Sequence, residues 1–353
     1  MNLIDFGWCP GSSADSAFAE LAQGELIVGR VVLEHRERYR VYTELGEQAA
    51  EVTGQFRYQA EDAQAFPTVG DWVAVEPHET DDPVTIHHVL PRKSQFVRKA
   101  AGTQTAGQIV AANVDTVFLM SGLDGDFNRR RIERYLVTAW DSGAMPVVVL
   151  NKADRCPNLD DILAEVATVA IAVPVHPISA VTGEGLDALD AYLAPGKTVA
   201  LVGSSGVGKS TLTNYLLDTH QQTTQAVRLD DSRGRHTTTH RQLLPLPSGA
   251  LLIDTPGMRE LQLWSADTGL EEAFSDITAL AENCRFRDCQ HQQEPGCAVQ
   301  AAIAANTLDP KRLNSYQKLQ REQQWMDQRR DRHAQLNSKR RWKAITKTMR
   351  QSR

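Results

Sequence analysis

The sequence predicts a multidomain chain: an N-terminal OB-fold β-barrel, a central α/β P-loop domain and a C-terminal helical zinc-binding domain. Three observations predict it. Five short runs of alternating apolar and polar residues crowd positions 24–90; a phosphate-loop motif stands between a β-like run and a helix-forming run at 198–217; and three of the five cysteines fall, with a histidine, inside 284–297. At 353 residues the chain has the length for three such units. The boundaries read as an N-terminal extension 1–23, a barrel 24–95, an α/β domain 100–268, and a zinc-binding domain with a basic helical extension 269–345.

Residues 1–23 carry neither a basic start nor a long apolar run, so no signal peptide or membrane anchor is expected there and a cytoplasmic protein is. The strand-like runs Gly24–Leu33, Tyr39–Tyr42, Glu51–Phe56, Val69–Val75 and Thr85–Leu90, separated by turn residues, suit a small barrel of the oligonucleotide-binding type. Arg36, Arg38 and Arg40 near a strand junction, and Arg92, Lys93, Arg98 and Lys99 beyond the last strand, could meet RNA phosphates. Barrels of this size also serve as protein-interaction modules, so both uses stay open.

The central domain is built around Gly203-Ser204-Ser205-Gly206-Val207-Gly208-Lys209-Ser210. The β-like run Thr198–Val202 precedes it and Thr211–Leu217 follows as a helix, which is the context a P-loop requires. Its glycines let backbone N–H groups close on phosphate oxygens, and the helix N-terminus favours the anion. Lys209 is expected on the β- and γ-phosphates and Ser210 on Mg²⁺. Asn151-Lys152-Ala153-Asp154 ends the apolar run Met145–Leu150, at the carboxyl end of a strand, where open α/β sheets bind ligands. Asp154 can accept from the N1–H and exocyclic amine of guanine, and Lys152 can lay its stem along the base. Ser179-Ala180, after Val173–Ile178, offers a backbone amide for guanine O6. Val114–Met120 supplies a further strand, and Asn128–Trp140 a covering helix with Ile132, Tyr135, Leu136 and Ala139 at helical spacing.

Asp254-Thr-Pro-Gly257 closes the run Ala250–Ile253, placing Asp254 toward Mg²⁺ and the Gly257 N–H toward the γ-phosphate. Between it and the P-loop, Arg233-Gly-Arg-His-Thr-Thr-Thr239 reads as a switch whose Thr238, or Thr237, completes the Mg²⁺ shell. Met258 stands where Ras-type GTPases carry a water-positioning glutamine, and a thioether cannot orient water. His236 is the candidate replacement.

The guanine element precedes the P-loop, an inverted order that resembles the circularly permuted α/β GTPases. Cys284, Cys289, His291 and Cys297 then offer three thiolates and an imidazole, a full tetrahedral set for one structural zinc per chain. A disulfide reading fits less well, because a cysteine would be left over and nothing suggests export. Beyond it, Lys311 to Arg353 holds 14 Lys or Arg against three acids, a formal +11; since the whole chain is −6, the remainder carries −17. Charge so segregated suits a nucleic-acid-facing end, with Trp325 and Trp342 placed to stack on bases or to pack the helix. Leu313, Tyr316 and Leu319 are expected to pack its first half on the zinc module.

With Phe6-Gly-Trp8, Val69-Gly-Asp-Trp-Val73 and Gly234-Arg-His-Thr-Thr-Thr239 added, the whole chain resembles the bacterial ribosome-small-subunit-dependent GTPase family, RsgA or YjeQ. The resemblance implies hydrolysis of GTP to GDP and phosphate, with Mg²⁺, by a late-acting assembly factor. It implies binding to the small ribosomal subunit and its rRNA, stimulation of hydrolysis by the subunit, and release afterwards. A monomer without a membrane partner is expected. Two other classes compete: an RNA-binding scaffold whose nucleotide is structural or regulatory, and a P-loop kinase or ATPase, against which the guanine element argues.

Overall fold

The computed structural model describes residues 2–21, 25–35, 38–60, 62–78, 82–99, 107–218, 241–254 and 267–328. An N-terminal helix α1 (Ser13–Leu21) leads into five barrel strands: β1 (Ile27–His35), β2 (Arg38–Thr43), β3 (Gly46–Val52), β4 (Trp72–Glu76) and β5 (Val84–Val89). The order β1-β2-β3-β5-β4, with β4 returning to β1, closes the barrel. Only the β3–β5 contact is parallel among these pairs. Alternation sends Val31, Val41, Val73, Val75, Val84 and Ile86 into the fully buried interior. The strand expected at 51–56 ends at Val52. Thr53 instead caps helix α2 (Gly54–Gln59), its Oγ1 accepting the Phe56 N–H at 2.8 Å, which diverts the chain from the sheet.

A hairpin, β6 (Gln95–Lys99) with β7 (Gly107–Ala112), leads to the second unit. There β8 (Thr116–Gly122), helix α3 (Arg129–Ser142), β9 (Met145–Asn151), α4 (Leu159–Ala167), β10 (Val175–Ile178), β11 (Thr198–Gly203), α5 (Lys209–Asp218), β12 (Arg241–Pro245) and β13 (Leu251–Asp254) follow in turn. Strands β10-β9-β8-β11-β13 are parallel neighbours. All residues of β8 and β11 are buried, as the near-continuous apolar runs of a sheet covered on both faces require. Helix α3 forms where expected, with Asn128 as its N-cap and Gly143 in the left-handed conformation at its end.

Strand β12 has no counterpart among the strands expected from the sequence. It runs antiparallel to β13 and pairs on its other edge with barrel strand β1, Leu33 opposite Gln242 and Glu34 opposite Arg241. Among the described residues, barrel and α/β layer thereby form one continuous eleven-stranded sheet. Arg241 Nη1 bonds both carboxylate oxygens of Glu34, at 3.0 and 2.9 Å.

A buried arginine fixes the same junction. Arg30 of β1 donates to the carbonyl of Phe6, to Thr198 Oγ1 at 2.8 Å, and to the carbonyls of Gly70 and Asn113 at 3.4 Å. Its guanidinium lies 5.0 Å from the Trp72 ring centroid. Burial lowers its pKa to about 10 against the pull of Asp115 and Asp71, so it stays charged at neutral pH. The N-terminal extension packs over it, with Phe6 stacked on Tyr42 at 3.9 Å and Trp8 edge-on to Trp72 at 4.8 Å.

Helices α6 (Asp267–Ala273), α7 (Ser275–Ala281), α8 (Ala298–Ala304) and α9 (310–328) form the C-terminal unit. Leu313 and Leu319 are buried with Ile277 and Val299, as expected of the first half of the basic segment. The anchorage extends further, onto α3. Arg312 bonds Glu133 at 3.0 Å, Asp276 at 3.0 Å and the Ala273 carbonyl at 2.7 Å, while Ser315 also bonds Glu133.

Replacing Arg30 by Met should lower stability by about 3 kcal/mol, because the shape is roughly kept while four buried acceptors lose a charged donor. A denaturant midpoint unchanged from the parent chain would refute the structural weight given to that guanidinium.

Candidate nucleotide site and metal centre

Strand β11 ends at Gly203, where an added Cβ would lie 2.6 Å from the Met120 carbonyl, so glycine alone lets β11 run this close to β8. The chain then turns through Ser204, Ser205, Gly206, Val207 and Gly208 into α5. Gly208 has φ +104°, and a Cβ there would fall 2.1 Å from Asn151 Nδ2. Val207 is buried, whereas Ser205, Gly206, Ser210 and Thr211 are exposed at the mouth of the helix. Lys209 Nζ folds back on its own loop, donating to the carbonyls of Gly203 at 2.6 Å and Ser204 at 2.5 Å.

Asn151 joins the two halves of the site. At the end of β9 it donates from Nδ2 to the Val207 carbonyl at 2.8 Å and accepts the Ala180 N–H on Oδ1 at 3.0 Å. Ala180 was expected to present that amide to a base; here it is given to Asn151, so reading a guanine oxygen through it requires this bond to be shared or exchanged. Ser179 is fully buried and its Oγ accepts the Thr182 N–H at 3.2 Å. Lys152, at φ +67°, donates to the Gly206 carbonyl at 2.8 Å and pairs with Asp124 at 2.5 Å. Asp154 follows in a single 3-10 turn, 3.8 Å from Arg155 Nε. Asp254 closes β13 with its backbone in register with Gln242. Gly257 and Met258, and His236, Thr237 and Thr238 of the expected switch, lie outside the described residues.

Asp124 and Asp126 contact the candidate site, and the sequence motifs do not include them. Both sit in the loop after β8, at the same carboxyl edge of the sheet as the P-loop. Asp126 takes hydrogen bonds from Ser204 Oγ and, at 2.7 Å, from Arg131. The Lys152 bond holds the Asp124 carboxyl below its ordinary range, and the Arg131 bond does the same for Asp126. The available signal was an Asp-Gly-Asp stretch at 124–126, shortly after the apolar run Val114–Met120.

Most cations assigned to RNA near the barrel are occupied within the chain. Arg92 makes a bidentate pair with fully buried Asp71 at 2.7 Å, Lys93 pairs with Asp115 at 2.7 Å, Arg40 with Glu47 at 2.6 Å, and Arg98 bonds Gln108 at 3.4 Å. Burial raises the Asp71 carboxyl, and Arg92 opposes it. An unpaired buried carboxylate would be costly, so Arg92 is held inward. Arg38 remains exposed, and Arg36 and the Lys99 side chain lie outside the described residues.

Past α7, the ligand atoms of Cys284, Cys289, His291 and Cys297 all lie within 4.8 Å of one another. Cys284 Sγ is 3.9 Å from Cys297 Sγ and 3.7 Å from His291 Nδ1, which is itself 3.5 Å from Cys297 Sγ. These separations exceed a disulfide bond and match the edge of about 3.7 Å that metal–sulfur bonds near 2.3 Å would produce. The four can therefore hold one metal ion. Cys297 also caps α8, accepting the Gln300 N–H, and Gln300 returns a 2.6 Å bond to the His291 carbonyl. That bond braces His291, whose φ of +56° is uncommon for a side-chain-bearing residue.

A family model described as RsgA GTPase matches residues 89–264. A small ribosomal subunit biogenesis GTPase, RsgA 2 of Lactiplantibacillus plantarum, is 50% identical over 322 residues, 91% of this chain and 89% of that protein. The crystal structure of YjeQ from Thermotoga maritima aligns with a TM-score of 0.63 at 29% identity, covering 84% of this chain and 98% of that one. YloQ, described as a circularly permuted GTPase, shares the fold with a TM-score of 0.61 at 24% identity, over 88% and 97% of the two chains.

Asn151→Ala would strip a partner from both the Val207 carbonyl and the Ala180 amide. Guanine-nucleotide affinity, titrated by fluorescence, should fall about tenfold or more at about 1 kcal/mol or more for each of the two bonds removed. Equal affinity in the variant would mean that Asn151 does not organise the site.

Proposed function

Because the chain belongs to the RsgA GTPase family, we propose that it binds the small ribosomal subunit through rRNA, acts in late maturation of that particle, and leaves after GTP hydrolysis that the subunit stimulates. The observation that carries this reading is the Asn151 bridge, which holds the expected guanine strand against the phosphate loop. In this reading the functional units are the barrel at 24–95, the GTPase at 100–268 and the zinc-binding domain with its basic extension at 269–345. The protein works as a cytoplasmic monomer; no helix among the described residues is long and apolar enough to cross a membrane.

Asp154 reads the guanine edge, and Lys152, held by Asp124 and Gly206, covers the base. The N–H groups of residues 204–211, at the head of α5, face the phosphates. Lys209 exchanges its two loop carbonyls for β- and γ-phosphate oxygens, where it would offset the charge that develops on the GDP leaving group as water adds to the γ-phosphorus and the bond from that phosphorus to the bridging oxygen breaks. The Ser210 hydroxyl, exposed at the helix mouth, suits Mg²⁺, with Thr238 and Asp254 as the other candidates. Bound Mg²⁺ would neutralise phosphate charge. The Gly257 N–H meets the γ-phosphate. His236 orients the attacking water once the subunit orders the segment Arg233–Thr239. Zinc suits the Cys3His set, filling four positions with no place for a catalytic water.

GTP and ATP hydrolysis, each measured with and without purified small ribosomal subunits, test the reading. Weak GTP turnover alone, strong stimulation by subunits and little ATP turnover are expected. GTP binding with no subunit-dependent turnover would favour a scaffold, and equal ATP turnover an unrelated P-loop enzyme. His236→Ala should cut stimulated turnover about a hundredfold while leaving GTP affinity intact; normal stimulated turnover would remove His236 from the mechanism. Elemental analysis of protein purified without added metal should find one zinc per chain, and chelation should lower the melting temperature; a zinc-free chain of equal stability would disprove a structural metal.

A further inference from the structure

Between α3 and α9 lies an open cleft of about 600 Å³. Arg130, Arg131, Arg134, Lys318 and Arg321 line it, and no carboxylate does. Two of these cations are neutralised from outside the lining: Arg131 by Asp126 at 2.7 Å and Arg134 by Glu322 at 2.9 Å. Arg130, Lys318 and Arg321 are exposed and have no carboxylate partner among the described residues. Like charges gathered without a counter-charge repel one another even when solvent weakens the effect, and an anion seated among them relieves that repulsion. The N-terminus of α3 opens on the same cleft, adding positive partial charge.

We propose that this cleft seats phosphodiester groups of structured RNA. The claim rests on the ribosomal reading above and names one place where that interaction is made. The neighbouring surface favours RNA over an acidic protein. Lys318, Arg321 and Trp325 fall on one face of α9 at helical spacing, and the Trp325 side chain is 52% exposed, an aromatic plane for a base beside cations for its phosphate. The cleft also borders the nucleotide site, because Arg131 on its wall shares Asp126 with Ser204 of the P-loop.

The double variant Arg130→Ala with Lys318→Ala, in the full chain, tests the assignment. Binding to purified small ribosomal subunits and to a protein-free structured RNA hairpin is followed from about 50 to about 200 mM salt. For both ligands the slope of log K against log salt should become shallower by about 2, one for each phosphate no longer neutralised. Affinity at the low-salt end should fall about tenfold or more. The charge-preserving pair Arg130→Lys with Lys318→Arg should keep the parent slope. GTP affinity and unstimulated turnover should match the parent in both variants, which checks the fold. A double-alanine variant with parental slope and affinity overturns the cleft, and so does weaker subunit binding at an unchanged slope, which would mark a protein partner. A parent chain that binds the hairpin through these two cations but ignores subunits upholds the cleft and overturns the ribosomal function.

Discussion

The buried guanidinium of Arg30 is the constraint on which the arrangement of the first two thirds of the chain depends. From one barrel strand it reaches the N-terminal extension at Phe6, the barrel at Gly70, and the α/β layer at Asn113 and Thr198. A charge this deep is tolerated only with its donors satisfied, so the four acceptors tie the three segments to one another in the folded chain. Thr198 opens β11, the strand that ends in the phosphate loop, so the barrel is keyed to the strand that sets the loop's position.

The same logic recurs at the other junction. Arg312 and Glu133 are both almost fully buried and satisfy each other with Asp276, Ser315 and the Ala273 carbonyl, which fixes α9 against α3. Around these polar pins runs one apolar core containing Phe6, Trp72, Val117, Ile132, Phe274, Val299 and Leu313. Residues from the extension, barrel, α/β layer and C-terminal helices thus share a single cluster. Displacing one unit would expose apolar surface belonging to the next, at about 25 cal/mol per Å².

The permuted order is accommodated because the sheet places strands by pairing and not by sequence. Strand β8 lies between β9 and β11, so the Asn151 end of one and the Gly203 end of the other emerge at the same edge. One side-chain amide then spans the gap between them. On the far side, β12 begins at Arg241, two residues beyond the segment Arg233–Thr239, and is joined at once to the barrel through Glu34. The chain leaving the candidate switch is therefore held by the barrel as well as by its own sheet.

From the sequence alone came the parts whose physics is local. The glycines of residues 203–208 encode a backbone that closes on anions, the apolar runs at 145–150 and 198–202 encode covered parallel strands, and the Cys–His spacing encodes a ligand set, each within a short window. Thr53 followed by glycine was also local, a helix cap masked by the β-like residues before it. What tertiary structure decided joins distant positions: Arg30 meets Thr198 across 168 residues, and Arg241 meets Glu34 across 207. Asp126 became part of the loop's surroundings only when β8 came to lie beside β11, and Arg92 turned inward only because Asp71 was buried beneath it. A charge carries no sign in the sequence of whether its partner will be water, RNA or a carboxylate; burial decides, and burial exists only once the chain has folded.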